Sequence, residues 1–157
     1  MTEVRALDSS DAPACDAIVA GLPYHFGNAE GRRMCADAVR SQPGLVATLE
    51  GDVVGFLTLA RPYPHSAEIT WLAVRADLRR HGIGRELVDR AAVDLRAEGR
   101  RVLLAFTVSP VGDEDEPPDG YAATRAFYRR AGFVDARDVP ELWAGDRAML
   151  VVRPLCP

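Results

Sequence analysis

The residues from Arg79 to Arg85 have the composition of a turn that can bind an anion. Gly82 and Gly84 follow an apolar run that ends at Val74, and a helical pattern begins near Gly82. Glycine lets the backbone approach an anion closely, and the first N–H groups of a helix have no partner inside it. The helix dipole also favours negative charge at that end, so the turn predicts a phosphate or pyrophosphate site. The alternative is a tight turn beside solvated arginines.

Two familiar nucleotide-binding turns do not fit this segment. It lacks the third glycine and the early strand position of a dinucleotide fingerprint, and it lacks the Gly-Lys-Ser/Thr end of a phosphate-binding loop. The chain contains no lysine, because its 19 basic residues are all arginines. Schiff-base chemistry through a lysine side chain is therefore excluded.

The elements that must position this turn follow the order of a mixed α/β fold. Periodicity predicts strands over 4–7, 45–50, 53–60, 67–74, 101–108, 133–139 and 148–152, and helices over 11–21, 33–39, 82–99 and 122–131. Gly51 and Asp52 are typical of a tight hairpin between two of the strands. The short interval between helix 82–99 and the next strand favours a right-handed parallel crossover. The sequence predicts one sheet with helices on its faces.

Length, composition and charge narrow the class of protein. A chain of 157 residues fits a single domain over 1–157, and its 48% hydrophobic and 27% charged shares are those of a globular protein. The net charge of −4 argues against a nucleic-acid partner. No run is long and apolar enough for a membrane helix, and the acidic N-terminus is unlike a signal peptide. We therefore expect a cytoplasmic protein without membrane contact.

The cysteines and the acidic residues show no pattern that binds a metal. Cys15, Cys35 and Cys156 match no zinc motif, redox pair or disulfide framework, so we expect reduced and mostly buried thiols. The acidic segment 112–120 is predicted to be a solvated loop, with a lid or a surface that attracts a cationic ligand as the alternatives. No metal site is predicted.

Two blocks of the sequence resemble the GCN5-related N-acetyltransferase (GNAT) superfamily. The superfamily's Gln/Arg-x-x-Gly-x-Gly/Ala signature after the fourth strand reads RRHGIG at Arg79–Gly84. Its second hallmark, an aromatic pair and a Gly-Phe that close a helix after the fifth strand, reads FYRRAGF at Phe127–Phe133. The order and separation of the blocks match, and the resemblance covers the chain from about Val4 to Val152. One position departs from it, because Tyr121 stands where many relatives have an asparagine that helps to fix the cofactor.

The resemblance implies a sheet of six to seven strands, flanked by about four helices, that splays between the fourth and fifth strands. Acetyl-coenzyme A, the acyl donor, would lie in that cleft. Its pantetheine arm would pair with the backbone of the fourth strand, and its pyrophosphate would meet N–H groups of the turn. The implied cofactor-binding residues are Leu72, Ala73, Val74, Arg79, Arg80, Gly82, Ile83, Gly84 and Arg85.

For the acetyl transfer that the resemblance implies, Glu68 is the candidate base. An alkyl amine has a pKa of about 10, so a base or a water relay must take its proton at neutral pH. Glu68 lies six residues before Val74, the position of the catalytic glutamate in the histone-acetylating branch. Alternation along a strand would put four side chains on one face: Glu68, Thr70, Leu72 and Val74. The alternative is a glutamate that points into solvent, with a water relay or His65 as the base.

Tyr128 is the candidate acid. Similar proteins use a tyrosine at this helix position to donate a proton or a hydrogen bond to the coenzyme A sulfur, and a phenol of pKa about 10 suits a thiolate leaving group. A backbone N–H near Ala73 or Val74 would meet the oxyanion. The alternative for Tyr128 is a tyrosine packed in the core.

The acceptor that the resemblance implies is a primary amine on a small molecule or a peptide. Aromatic side chains suit an amine through cation–π contacts. The candidate contacts are Tyr24, Phe26, His65 and Trp143. Two other functions stay open: an acyl-coenzyme A sensor without turnover, and a transferase that uses another acyl group or acceptor. A homodimer stays open as well.

Overall fold

The computed structural model describes residues 1–111 and 120–155, and its elements follow the predicted order. The strands are β1 (Thr2–Ala6), β2 (Gly44–Leu49), β3 (Asp52–Ala60), β4 (Ser66–Val74), β5 (Val102–Val108), β6 (Val134–Val139) and β7 (Ala148–Pro154). The helices are α1 (Ala12–Ala20), α2 (Ala29–Ser41), α3 (Ile83–Ala97) and α4 (Tyr121–Arg130). In the described part of the chain, no helix is long and apolar enough to span a membrane.

The seven strands form one sheet in the order β1-β2-β3-β4-β5-β7-β6. Antiparallel pairing joins β2 to both β1 and β3, and joins β7 to both β5 and β6. The predicted mixed α/β fold with seven strands and four helices is confirmed. β4 and β5 are neighbours in the sheet, as the predicted splay between them requires.

The chain divides into two compact units. The first consists of Met1–Ala60 and Ile69–Asp94, and the second of Arg61–Glu68 and Leu95–Pro157. The boundary passes inside β4 and inside α3. That residues 1–157 form a single domain therefore stays a prediction.

The core of the first unit joins α1 and α2 to the strands. One cluster contains the fully buried side chains of Cys15 and Cys35 from the helices, Val46 from β2 and Phe56 from β3. Removing a large apolar side chain from water contributes roughly 1.5–3 kcal/mol. This cluster therefore fixes both helices against one face of the strands.

α2 begins at Ala29, four residues before the predicted start at Arg33. The Asn28 side chain accepts hydrogen bonds from the N–H groups of Glu30 at 2.8 Å and Gly31 at 3.4 Å. Asparagine is a strong N-cap residue, because its side-chain oxygen satisfies N–H groups that the first helical turn leaves open. The predicted start is wrong because this asparagine caps a helix.

In the second unit, α4 packs on β5 and β6 and ends in a tight turn. The N–H of Phe133 donates to the Tyr128 carbonyl at 2.9 Å, and the two ring centroids lie 5.1 Å apart, edge to face. The Phe127 ring lies 5.3 Å from Tyr128 on another side. The FYRRAGF block is therefore a packing unit that fixes the position of Tyr128.

Two of the three cysteines lie among the described residues, and both are free and buried as predicted. Burial raises the pKa of the Cys15 and Cys35 thiols to about 12, so both keep their protons at neutral pH. Cys156 and the acidic segment predicted at 112–120 lie outside the described residues, apart from Gly120.

The close approach of β2 to β3 at Gly44 gives a test of the fold. A Cβ atom there would overlap the Leu57 carbonyl oxygen and lie 3.1 Å from Leu7 Cδ2. We expect Gly44→Ala to lower the free energy of unfolding by about 1–3 kcal/mol in urea denaturation. The matched control is Gly31→Ala in α2, where the new Cβ meets only Asn28 Cβ at 3.9 Å, and helix propensity gains up to about 1 kcal/mol. Equal midpoints for both variants would contradict the strand contact.

Candidate active site

The turn between β4 and α3 leads into the open end of a helix. The first helical hydrogen bond runs from the Glu86 N–H to the Gly82 carbonyl at 3.0 Å, so the N–H groups of Gly82, Ile83 and Gly84 come before it. Gly82 has φ +82°, and a Cβ atom there would meet nothing within 4 Å. Arg80 also has a left-handed backbone, with φ +68°. An open turn that leads into helical N–H groups fits a pyrophosphate.

Exposed arginine side chains add positive charge to the turn. Arg80 and Arg85 are exposed, and Arg85 Nε lies 3.0 Å from Asp89 Oδ2, one helical turn further along α3. An exposed ion pair of this kind contributes about 1 kcal/mol or less, so a phosphate can compete for the guanidinium. His81 Nδ1 lies 2.9 Å from the Arg79 carbonyl oxygen, which holds the imidazole against the turn.

The side chains of β4 do not alternate strictly. Thr70 Oγ1 lies 2.7 Å from Thr58 Oγ1 on β3, and the Trp71 ring lies 5.8 Å from the Phe26 ring. Phe26 packs in the same cluster as Phe56, which shares a face of β3 with Thr58. The alternation of buried and half-buried residues along β4 is interrupted at Thr70, Trp71 and Leu72, which are all half-buried.

These contacts bear on one prediction from the sequence. Simple alternation would keep four residues on one face: Glu68, Thr70, Leu72 and Val74. Trp71 packs against Phe26, whereas Thr70 hydrogen-bonds to Thr58 and Gln42. That the four side chains share one face stays a prediction.

Glu68 is a half-buried carboxyl group in the first part of β4. Desolvation by burial raises its pKa above the ordinary value for glutamate. A raised pKa moves a carboxylate toward the operating pH, which makes it a stronger base for a proton on an amine.

Tyr128 is a buried phenol on α4, with 6% of its surface exposed. Desolvation by burial raises its pKa well above the ordinary value for tyrosine. It therefore holds its proton throughout the neutral range and can act as a donor. Core packing and a catalytic role are compatible here, since the packed rings fix the direction of the hydroxyl.

The predicted site residues divide between the two units. The second unit contains Glu68, Tyr128, His65 and Trp143. The first unit contains Tyr24, Phe26 and the cofactor-binding candidates Leu72, Ala73, Val74, Arg79, Arg80, Gly82, Ile83, Gly84 and Arg85. The candidate base and acid therefore belong to one unit, and the anion-binding turn belongs to the other.

The four acceptor candidates have different surroundings. Phe26 is 8% exposed and packs in the core cluster, so its ring is occupied by contacts with Trp71 and its neighbours. Tyr24, His65 and Trp143 are exposed. The His65 carbonyl accepts the N–H groups of residues 101 and 102 at the start of β5, which fixes the backbone but leaves the imidazole at the surface.

Tyr121 is the first residue of α4 and is half-buried. A phenol offers one donor and one acceptor at the end of a rigid ring, whereas the carboxamide of an asparagine offers two donors and an acceptor on a short arm. The cofactor contact that the resemblance assigns to that asparagine therefore cannot be made here by the same groups.

One polar feature of the first unit could not be predicted from the sequence. Thr58, Thr70 and Gln42 form a series of side-chain hydrogen bonds, which we call the hydroxyl chain. Its members come from β3, β4 and the end of α2, so no spacing along the chain connects them. Only the pairing of the strands brings them together.

A groove of about 270 Å³ lies between α1 and α2, and it contains none of the predicted site residues. Its lining comprises Cys15, Asp16, Val19, Ala20, Arg32, Arg33, Cys35, Ala36 and Val39. An anion site built from backbone N–H groups at a helix end needs no such depth.

Solved structures share this fold over nearly the whole chain. A protein of the GNAT family from Desulfovibrio desulfuricans is 22% identical, with a TM-score of 0.81 over 99% of this chain and 100% of that one. The ribosomal-protein-S18-alanine N-acetyltransferase from Escherichia coli is 19% identical, with a TM-score of 0.77 over 100% and 96% of the two chains. A protein from Salmonella typhimurium, solved with its cofactor acetyl-CoA, is 18% identical, with a TM-score of 0.72 over 100% and 95%.

A match to a family model shows the family to which the chain belongs. The model for an acetyltransferase (GNAT) domain matches residues 40–135, which is more than half of the chain and includes both recognised blocks. A search of curated protein sequences found no significant match. Domains of this kind use acetyl-coenzyme A as their acetyl donor. The resemblance seen in the sequence is therefore confirmed, and the chain belongs to the GNAT acetyltransferase family.

Proposed function

We propose that this protein transfers an acetyl group from acetyl-coenzyme A to a primary amine of a small molecule or a peptide. The observation that carries the proposal is the open turn at the start of α3, with Gly82 in a left-handed conformation and helical N–H groups beyond it. The half-buried carboxyl of Glu68 and the buried phenol of Tyr128 supply a base and an acid. The similar Escherichia coli protein is named for acetylation of an alanine in a ribosomal protein, which supports a peptide amine as one acceptor class.

The first unit would hold the donor. The N–H groups of Gly82, Ile83 and Gly84 would bind the pyrophosphate, and the side chains of Arg79 and Arg80 would add positive charge. The backbone of Leu72, Ala73 and Val74 would pair with the pantetheine arm, which has amide groups of its own. All these contacts except those of the arginines use backbone atoms.

For the transfer, the protein must accept a proton from the amine, donate a proton to the sulfur and stabilise the developing oxyanion. Bound acetyl-coenzyme A supplies a thioester whose C–S bond breaks as the C–N bond to the amine forms. Glu68 accepts the proton that the amine loses, and Tyr128 donates a proton to the sulfur that leaves. A backbone N–H of Ala73 or Val74 donates to the oxygen on which negative charge develops. One proton is taken up and one is given, so the overall charge is unchanged.

A sensor that binds acyl-coenzyme A without turnover is the alternative. Binding alone needs the backbone of the turn and of β4, but it does not need a carboxyl and a phenol whose burial raises their pKa values. Perturbed groups of this kind are more frequent where proton transfer takes place. The presence of both groups favours the enzyme.

Donor binding is tested by thermal unfolding. At one hundred times its Kd, acetyl-coenzyme A stabilises the folded state by about 2.7 kcal/mol, which for a chain of 157 residues raises the Tm by roughly 5–10 °C. Gly84→Trp should abolish this shift, because an indole at the second residue of α3 blocks the approach of the pyrophosphate. Gly31→Ala, in α2, should keep the shift.

The same samples then receive a panel of amines and peptide N-termini, and the release of free thiol is followed. Release with one class of acceptor supports the enzyme and identifies that class. A thermal shift without release from any acceptor favours the sensor, and a larger shift with a longer acyl-coenzyme A favours another acyl group. No shift with the wild-type protein would contradict the assignment of the turn.

Tyr128→Phe tests the acid. The variant keeps the packed ring and removes only the hydroxyl, so we expect kcat to fall about 10- to 100-fold while the Kd for acetyl-coenzyme A stays within about twofold. The control is Tyr63→Phe, which removes the hydroxyl of a tyrosine that is 75% exposed. An unchanged kcat in single-turnover experiments would make Tyr128 a packing residue only.

Glu68→Gln tests the base through two pH profiles. The variant should lose the acidic limb of kcat/KM that Glu68 causes, and should need a higher pH for turnover. The free energy of unfolding at pH 7 should rise in this variant, whereas its turnover at the same pH should fall. Because burial raises the folded-state pKa of Glu68, the ionised carboxylate destabilises the folded protein at pH values above its unfolded pKa. Glu68→Gln should therefore raise the free energy of unfolding at pH 7, and this gain should vanish below about pH 4.

The matched control is Glu3→Gln, at an exposed position on β1. It should alter neither profile, since its carboxylate stays in water in both states. If Glu68→Gln leaves the kcat/KM profile unaltered, a water relay or His65 becomes the candidate for the base.

A further inference from the structure

The strands of the second unit have one buried face and one half-buried face. Along β5 and β7, the residues of the first face are buried: Leu103, Ala105, Met149 and Val151. The residues of the second face are half-buried: Leu104, Phe106, Leu150 and Val152. All four residues of the second face are apolar, so this face presents apolar side chains partly to water. Apolar surface of this kind is typical of ligand-binding grooves.

Backbone hydrogen bonds fix how β5 is paired on each side. Just after β5, the Ser109 N–H donates to the Arg147 carbonyl at 2.8 Å, in register with the pairing of β5 and β7. Successive residues of a strand direct their N–H groups to opposite edges, so the odd-numbered residues of β5 bond to β7 and the even-numbered ones to β4. Accordingly, the Val102 N–H donates at 3.2 Å to the carbonyl of His65, the residue before β4.

The bond from Val102 to His65 sets Leu104 level with Glu68. Both strands begin at this bond, so they run parallel, and each further bond lies two residues along both strands. The next bond of such a ladder is from the Leu104 N–H to the Ala67 carbonyl, which puts Leu104 beside Glu68 on the same side of the sheet. Burial agrees with this, since both residues are half-buried and each follows a fully buried one.

The row that begins at Glu68 continues across β7. Leu104 is paired with Val152 in the antiparallel ladder of β5 and β7. Paired residues point to the same side of a sheet, and neighbouring strands lie about 4.8 Å apart. Measured between backbones, Leu104 is therefore about 5 Å from Glu68, and Val152 is about 10 Å from it. We call Leu104 and Val152 the aliphatic row, and both belong to the second unit, as Glu68 does.

The surroundings of the Glu68 carboxyl agree with an apolar neighbour. Desolvation by burial raises the pKa of this group, and an aliphatic side chain such as Leu104 excludes water without offering a hydrogen bond. The carboxylate thus lies at one end of an apolar strip. An amine that gives its proton to Glu68 can lay its substituent along this strip, where each methylene removed from water strengthens binding about fourfold.

We propose that the aliphatic row makes the protein select primary amines that carry an unbranched alkyl chain. Leu104 contacts the first carbons after the nitrogen, and Val152 contacts the carbons beyond them. A substituent with a hydroxyl group or a charge is disfavoured, because the row offers no partner for a polar group that loses water. This inference rests on the proposed acetyl transfer with Glu68 as the base, and it names the class of acceptor.

Three acceptors test the row in steady-state acetylation with acetyl-coenzyme A: ethanolamine, propylamine and hexylamine. Propylamine has a methyl group where ethanolamine has its hydroxyl, and hexylamine extends the same chain. The measured quantities are the kcat/KM values of the two alkylamines, each divided by that of ethanolamine and referred to the neutral amine. Because each ratio is measured on one preparation, a partial loss of folded enzyme cancels. The wild-type protein should prefer both alkylamines, and hexylamine more strongly.

Variants of the row separate its two positions. Leu104→Asn introduces a polar side chain of similar volume, and we expect both ratios to fall about tenfold, because the chain of each alkylamine passes this residue. Leu104→Met keeps the position apolar and should restore both ratios. Val152→Thr replaces a methyl group with a hydroxyl and should lower only the hexylamine ratio, about fourfold, since propylamine ends before it.

Val134→Thr is the matched control. Val134 of β6 is paired with Val152, so it lies one strand further from Glu68, and 64% of its surface is exposed. At about 14 Å from the backbone of Glu68, it is beyond the reach of both alkyl chains. The same exchange of methyl for hydroxyl should therefore leave both ratios as in the wild type.

The outcomes separate this proposal from the one on which it rests. If Leu104→Asn leaves both ratios unchanged, the selection by the aliphatic row is overturned while acetyl transfer stands. An equal fall of the hexylamine ratio with Val134→Thr and Val152→Thr would overturn it as well, since the effect would not depend on reach. Acetylation of a peptide but of none of the three amines would also overturn this inference alone. If the wild-type protein acetylates no amine and no peptide, the proposed function fails and this inference fails with it.

Discussion

The packing of Trp71 against Phe26 is the constraint on which the rest of the first unit depends. The two rings lie 5.8 Å apart, and the same cluster takes in Ala73 from the end of β4. The same strand places Thr70 against Thr58 of β3, where the two hydroxyl oxygens lie 2.7 Å apart. An apolar contact and a polar one therefore hold neighbouring positions of β4 within the first unit.

Burial acts on the titratable groups in one direction but with different chemical results. It raises the pKa values of Glu68, Tyr128, Cys15 and Cys35 by removing water from the charged form. For the carboxyl group this brings the pKa closer to neutral pH. For the phenol and the thiols it secures the proton, and only the phenol lies in a block that the family shares. The same desolvation therefore favours the uncharged form of all four groups, two of which are the proposed base and acid.

Patterns among residues close in sequence were sufficient to predict the helices, the strands and the turn between β4 and α3. Glycines and helical periodicity located α3, and alternating or continuous apolar runs located every strand. Signals failed where distant residues decide. The insertion of β7 between β5 and β6 and the contact of Trp71 with Phe26 depend on tertiary contacts. The early start of α2 is different, because its cap at Asn28 is a local signal that the prediction did not use. The hydroxyl chain is the clearest case, since Gln42 becomes notable only after Thr70 is placed beside it.

Because Cys15 and Cys35 are buried, the reactivity of their thiols shows whether the first unit is folded. A thiol reagent reacts with thiolates that it can reach, and these two groups are both protonated and enclosed while the first unit is folded. Unfolding exposes them and returns their pKa values to the ordinary range. The rate at which a thiol reagent labels these two cysteines therefore times the opening of the α1–α2 core, and no residue needs to be introduced for the purpose.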